Sequence, residues 1–347
     1  MAARKTPAPS RATLRDVADR AGVHPGTASR ALNTETRGLV NGNTAQRVLD
    51  AAEELGYRPN PIARGLKTNR SYTVGVLIPD ITNPLFPPMV RGIEDRLGDG
   101  GYTALIANTD NDPDREQRDW DAMRDRQVDG IITATARHQD AVISDIVASN
   151  VGLVLVNRRL EGEPIAAAVA DDRRGIELAV EHLVELGHRQ IAHVSGPLDL
   201  STGRDRHDGF VDVMSKLGLG PDPDLIEVAE YFTETPGARA CAALLDRGKP
   251  FTAIVAGNDL IALGCYDVLS ERGIDCPGDL SVVGFNDMPF ADRFHPPLTT
   301  VRIHHYAIGA TAGELLLEQL TDPEAEPRQV LLEPELVIRG STGPPAA

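Results

Sequence analysis

The sequence predicts an all-helical head followed by a longer α/β body, an α + α/β chain of at least two domains. Three observations carry that expectation. The 347 residues exceed the ~150 of an ordinary domain more than twofold. Residues 1–70 hold twelve Lys+Arg against six Asp+Glu, which leaves 23 basic and 45 acidic residues for the remainder of a chain of net charge −16. Apolar residues recur at helical spacing up to about residue 58, then gather into short runs separated by helix-length segments. With 41% apolar and 25% charged residues the composition is that of a folded protein. No apolar run approaches the ~18 residues of a membrane span. The basic N-terminus lacks the apolar core of a secretory signal, so a cytoplasmic chain is expected. Cys241, Cys265 and Cys276 are odd in number and scattered, which argues against a disulfide framework or a zinc ribbon and suits a reducing compartment.

After a basic arm (residues 1–12), Thr13-x-x-Asp16 reads as a capping box with a short acid at its third position. Leu14, Val17, Ala18 and Ala21 form one apolar stripe, and Gly22 ends that helix. Pro25 suits the first position of a second helix, whose inward face is Ala28, Ala31 and Leu32. A third helix starts near Asn41, turns Ala45, Val48, Ala52 and Leu55 inward, and stops at Gly56. Two short helices joined by a Gly-containing turn and supported by a third form a helix-turn-helix arrangement over residues 13–58. The second helix then presents Pro25, Gly26, Thr27, Ser29 and Arg30 outward; Arg30 can donate twice to guanine, while Thr27 and Ser29 reach phosphates or base edges. A protein-binding three-helix bundle has the same shape, and shape alone leaves that alternative open. The basic charge of the segment favours a polyanion.

Thr13–Ala18, Ala21-Gly22-Val23, Thr27–Asn33, Ala52–Asn60 and Ala63–Leu66 closely resemble the LacI/GalR bacterial transcription regulators, and the resemblance runs on to about Arg339. It implies DNA contacts from Thr13, Asn33 and Tyr57 as well as from the outward face of the second helix. It also implies a hinge over residues 59–71 that folds in the minor groove, with Asn60 and Ala63 at the DNA and Leu66 wedged into a base step. Two departures matter. His24 stands where the family has a capping Ser. Pro25 and Gly26 occupy operator-selecting positions without a side chain that can hydrogen-bond a base, which shifts the expected reading toward Arg30 and DNA shape. Gly65 costs about 1 kcal/mol of helix propensity relative to Ala, so the hinge is expected to fold less readily than in relatives.

In the body (72–340, with a tail over 341–347), Thr73–Ile78, Thr103–Ala107, Gly130–Thr135, Gly152–Val156, Gln190–Ser195, Thr252–Ala256 and Leu280–Gly284 read as buried parallel strands of βαβ units. The set resembles the type I periplasmic-binding-protein fold, two lobes around a cleft, with chain crossings near 161–171, 300–304 and 332–336. Ligands of open α/β sheets sit beyond the carboxyl ends of strands. On that rule and the family motifs, Asn83, Phe86, Asp110 and Asn157 are expected to line the cleft from one lobe. Arg206, Phe232, Asn258 and Asn286 are expected from the other. Amides and a guanidinium suit sugar hydroxyls, and an aromatic ring suits a sugar's C–H face.

Other features argue for little. His304-His305 and His182/His188 lack partners at metal-ligand spacing and read as solvated histidines, so no metal or cofactor is expected. No Gly-rich phosphate loop follows the first strand, and neither a nucleophile elbow nor paired acids occur, which argues against an enzyme. A transporter's solute-binding protein would need export and no basic head. The tail lacks leucine heptads, so no coiled-coil tetramerisation element is expected. The resemblance implies a homodimeric, ligand-responsive repressor of carbohydrate metabolism or transport genes. Such a protein binds a near-palindromic operator and is released by a sugar-like effector; a corepressor-dependent regulator is the alternative.

Overall fold

A computed structural model of the chain describes residues 12–33, 36–58 and 70–346. The chain divides into two units, Met1–Ser71 and Tyr72–Ala347. The expected hinge residues Asn60, Ala63, Gly65 and Leu66 lie outside the described residues.

The first unit contains α1 (Leu14–Ala21), α2 (Pro25–Leu32) and α3 (Gly42–Glu54). Both halves of the capping box form at Thr13: the Asp16 amide donates to the Thr13 hydroxyl, and the Thr13 amide donates to the Asp16 carboxylate at 2.8 Å. That bond holds the Asp16 carboxyl below its ordinary value. Gly22 closes α1 in the left-handed region at φ 64°. His24 caps α2 differently from a serine: its ring Nδ1 accepts from the Gly26 amide at 3.1 Å. Val17, Ala18, Ala28, Ala31 and Val48 are fully buried where the three helices meet. Arg20 and Glu54 tie α1 to α3 at 2.7 Å.

The second unit holds two six-stranded sheets. The first lobe is built from β1 (Thr73–Ile78), α4 (Phe86–Asp99), β2 (Thr103–Asn108), α5 (Pro113–Asp125), β3 (Gly130–Thr133), α6 (Ala141–Ala148), β4 (Gly152–Val156) and β5 (Ala166–Ala170). The second comprises α7 (Asp172–Glu185), β6 (Ile191–Ser195), α8 (Ser201–Lys216), β7 (Ile226–Val228), α9 (Glu234–Asp246), β8 (Ala253–Ala256), α10 (Asp259–Glu271), β9 (Ser281–Asn286) and β10 (Thr299–Arg302). The chain returns to the first lobe for α11 (His305–Thr321) and β11 (Gln329–Leu332), then crosses back for β12 (Glu335–Val337). Sheet orders are β11-β5-β4-β3-β1-β2 and β12-β10-β9-β8-β6-β7. Every pairing is parallel except β12 on β10. Helices on both faces bury such sheets, which explains the unbroken apolar runs of β1, β3, β8 and β9.

The histidines expected in solvent at 182 and 188 are buried instead. His188 bridges the Thr252 hydroxyl and the Gly343 carbonyl, both at 2.8 Å, and His182 meets the Thr342 hydroxyl at 3.0 Å. Burial lowers the pKa of both rings, so they serve as neutral hydrogen-bonding groups. With the fully buried Ser341, which donates to the Val282 carbonyl at 2.6 Å, they stitch residues 341–343 onto the second lobe. His304 is the exposed member of its pair, 3.3 Å from Glu335.

Candidate functional site

A cleft lies at the carboxyl ends of the strands of both lobes. Its first-lobe wall begins in the loop after β1. There Asp80 accepts from the Thr82 amide at 2.9 Å, and the Asn83 side chain accepts from the Leu85 amide at 3.0 Å, fixing the turn that delivers Asn83 and the buried Phe86. Asn157 follows β4 with φ 64°, a conformation that Asn tolerates better than most residues. Its amide donates to the Ala168 carbonyl at 2.9 Å, which leaves the side chain to line the cleft.

The second-lobe wall is built around Arg206, 3% exposed on α8. Its guanidinium is 2.7 Å from Asp172, donates to the Gly257 carbonyl at 2.6 Å and reaches the Asn286 side-chain oxygen at 3.4 Å. It also lies 3.8 Å from the Phe285 ring centroid and 5.6 Å from that of Phe232. Burial pushes the Asp172 carboxyl up to about 6 against the pull of Arg206. Asn258 caps α10 by accepting from the Ile261 amide at 2.8 Å, and it donates to the Phe232 carbonyl at 3.2 Å. The Gly196-Pro197-(x)5-Gly203 spacing has a steric cause. A Cβ on Gly196 would lie 2.2 Å from the Phe232 ring, and one on Gly203 would lie 1.9 Å from the Pro197 carbonyl oxygen.

Asn83, Phe86, Asn157, Arg206, Phe232, Asn258 and Asn286 therefore all line one cleft. Asp110 does not. It turns away at φ 53°, and its carboxylate is held by Arg115 and the Asn108 amide, while its neighbour Asn111 takes the place in the lining. Arg158 and Thr202, which fall in the strand-end loops Asn157–Arg158 and Gly196–Arg206 without being among the expected contacts, line the cleft too, as do Tyr231 and Thr233, which the sequence reading passed over. Arg158 had a signal, since it follows Asn157 at the carboxyl end of a strand. Tyr231 and Thr233 lie in an irregular stretch between the three-residue β7 and α9, and β7 is too short for periodicity to announce it.

In the first unit Pro25, Gly26, Thr27, Ser29 and Arg30 occur together on α2 and are part-exposed or exposed, opposite the buried Ala28 and Ala31. Arg30 lies back along its helix, Nε donating to the Gly26 carbonyl at 3.2 Å. Asn33 follows as the C-cap. Tyr57 is half-buried against the three-helix core, and burial raises its phenol pKa.

A three-helix DNA-binding unit and a two-lobed sensor with an interlobe cleft define a ligand-responsive transcription regulator. Residues 13–60 match the lacI family of bacterial regulatory proteins, and residues 180–342 match the periplasmic binding protein-like domain. The chain is 34% identical to the HTH-type transcriptional regulator RegA of Clostridium saccharobutylicum over 95% of its own length and 99% of that protein. It is 33% identical to the ribose operon repressor of Halalkalibacterium halodurans over 95% and 97%. The lac repressor dimer bound to operator and the anti-inducer ONPF superposes with a TM-score of 0.85 at 28% identity, covering 96% of this chain and all of that one. The chain belongs to the LacI family of bacterial regulators. No helix among the described residues is long and apolar enough to cross a membrane.

Proposed function

We propose that this protein is a cytoplasmic repressor that binds a near-palindromic operator as a homodimer and leaves it when a sugar-like effector closes the cleft. Residues 13–58 would read the half-site through α2, with Arg30 donating to a guanine and Thr13, Pro25, Gly26, Thr27, Ser29, Asn33 and Tyr57 completing the interface. Residues 59–71, including Asn60, Ala63 and Leu66, would form the hinge on DNA, and residues 72–340 the sensor. Effector contacts fall to Asn83, Phe86, Asn157, Arg206, Phe232, Asn258 and Asn286. We infer action by binding rather than catalysis.

The observation that carries this reading is the cleft itself: five asparagine amides, two guanidiniums and two phenylalanines from both lobes converge on it. Amides that donate and accept beside aromatic rings fit a polyol. Two lobes that share a ligand change their separation when it binds, which supplies a coupling of ~1–3 kcal/mol to DNA affinity.

The test is selection of genomic fragments by the full chain, with residues 72–347 as control. Enrichment of a short palindrome by the full chain alone supports the proposal, and the adjoining genes nominate sugars to add back. Release of the fragment by one of them completes it. Tighter binding on addition would convert the repressor to a corepressor-dependent one, and equal enrichment by the control would sink the DNA-binding assignment.

A further inference from the structure

The two walls of the cleft differ in how their positive charge is compensated. On the second lobe Arg206 is already neutralised, 2.7 Å from Asp172 and bonded to the Gly257 carbonyl. An anionic ligand gains little there. On the first lobe Arg158 lines the cleft at 5% exposure, with one guanidinium nitrogen donating to the Thr135 carbonyl at 3.0 Å. Its Nε is buried without any hydrogen-bond partner. Among the described residues, no carboxylate lies within ion-pair distance of Arg158 or of its neighbour Arg137. The Arg137 guanidinium donates to the carbonyl of Asn111, itself a lining residue.

The acids around Arg158 compensate its charge only in part. Glu116 is 1% exposed and accepts from the Thr135 hydroxyl, and burial raises its pKa. Burial first and the Arg137 charge second pull the Arg158 pKa down to about 10, and the charges of Asp199, Glu116 and Asp140 offset that only in part. A guanidinium taken out of water without a carboxylate in direct contact is disfavoured. Such a group beside an open cleft is one that a bound anion would satisfy. Asp80 is the carboxylate among the lining residues that remains outside an ion pair, and it sits part-exposed in the loop after β1, bonded to Thr82.

We propose that the effector carries an oxyanion, a carboxylate or phosphate, whose oxygens accept from Arg158, while its hydroxyl-bearing remainder lies against the phenylalanines and asparagines. This rests on the reading of the cleft as the effector site. A guanidinium suits such a group because its donors diverge in one plane and match two oxygens at once.

The experiment uses the full chain and three probes: inorganic phosphate alone, and the matched sets glucose, gluconate and glucose 6-phosphate and ribose and ribose 5-phosphate. Melting of the second unit is followed for wild type, Arg158→Met and Arg158→Lys at constant ionic strength. Phosphate is expected to raise the wild-type melting temperature, and Arg158→Met to weaken its apparent affinity at least tenfold, with Arg158→Lys between. Within each set the charged member should bind more tightly than its neutral parent. Gluconate against glucose 6-phosphate decides which oxyanion it is. Phosphate stabilising Arg158→Met as well as wild type would mean that the anion binds elsewhere, and would overturn the inference. So would no phosphate effect on wild type. A neutral sugar that releases operator while its acids are inert overturns it too, but leaves the proposed repressor intact. Failure to select any operator removes the repressor without touching the phosphate result. A ligand-free melting point more than about 5 °C lower in both variants would make Arg158 a structural tie instead.

Discussion

Arg206 holds Asp172 and reaches Asn286, so its replacement removes a ligand donor and a buried counter-ion together. Arg206→Ala is therefore expected to do more than silence the effector response. Leaving a buried carboxylate unpaired costs ~3–5 kcal/mol, which urea unfolding of the second unit will register. The double variant Arg206→Met with Asp172→Asn should recover most of that stability and none of the response. A stable, unresponsive Arg206→Ala would show that Asp172 is compensated by something other than Arg206. In the first unit, Arg30→Ala should weaken the preferred operator by ~1–3 kcal/mol, and unchanged affinity would move the reading surface off α2. At this scale the sequence was informative wherever a residue ends a strand or caps a helix. Asn83, Asn157, Asn258 and Asn286 were legible because strand ends and turn chemistry mark them. Asp110 was misread for want of one residue: its φ of 53° turns it toward Arg115, a choice between adjacent acid and amide that no pattern records.

Elements were legible in proportion to how strongly local chemistry agreed with the fold. The head helices begin and end within about two residues of their expected limits because Thr13, Gly22 and Asn41 are caps, and Pro25 a first helical residue, with one interpretation each. His24 is the departure, a ring nitrogen doing a hydroxyl's work. His24→Ala should cost α2 about 1 kcal/mol and His24→Ser little, read as the melting of the head and as operator affinity; equal losses would mean that the ring matters for more than its acceptor. Among strands, β5 went unseen because Ala166–Ala170 is AAAVA, and alanine has no strand preference until neighbours bury it. β10, β11 and β12 are edge or three- to four-residue pieces, too short for periodicity to register. Gly203 is an element-scale constraint, since it sets how closely α8 approaches the Pro197 turn. Gly203→Ala must shift backbone, so a loss of roughly 1–3 kcal/mol is expected, together with weaker effector binding. Gly196→Ala meets first the Phe232 ring, a side chain that can move, and should weaken binding with less effect on stability.

The second unit carries buried titratable groups whose pH effects oppose one another. Burial raises Asp259 to about 7, while the Thr300 hydroxyl and the Met288 amide serve its oxygens. The folded state thus keeps a proton that the unfolded chain releases near 3.8, and the stability from that proton is full below 3.8 and lost as pH rises through about 7. His193 and His305, lowered to about 3 and about 4 by burial, work in the other direction, taking stability away as pH falls below 6.5. Asp259→Asn removes the first effect alone. Relative to wild type it should gain stability steadily between about pH 4 and 7 in urea titrations; a pH-independent difference would show that Asp259 is ionised when folded. The two-lobed plan itself was legible because alternating apolar runs imply βαβ units, and too many of them for one simple sheet. The crossings after β5, after β10 and between β11 and β12 have a consequence for dissection. Each lobe is assembled from two separate stretches of chain, so a stop codon anywhere from residue 172 to 332 strands both halves of the cleft at once. Split reporters and truncation libraries of this gene should therefore yield no autonomous lobe, whereas two co-expressed fragments cut in an exposed loop have the complementary pieces to rebuild one.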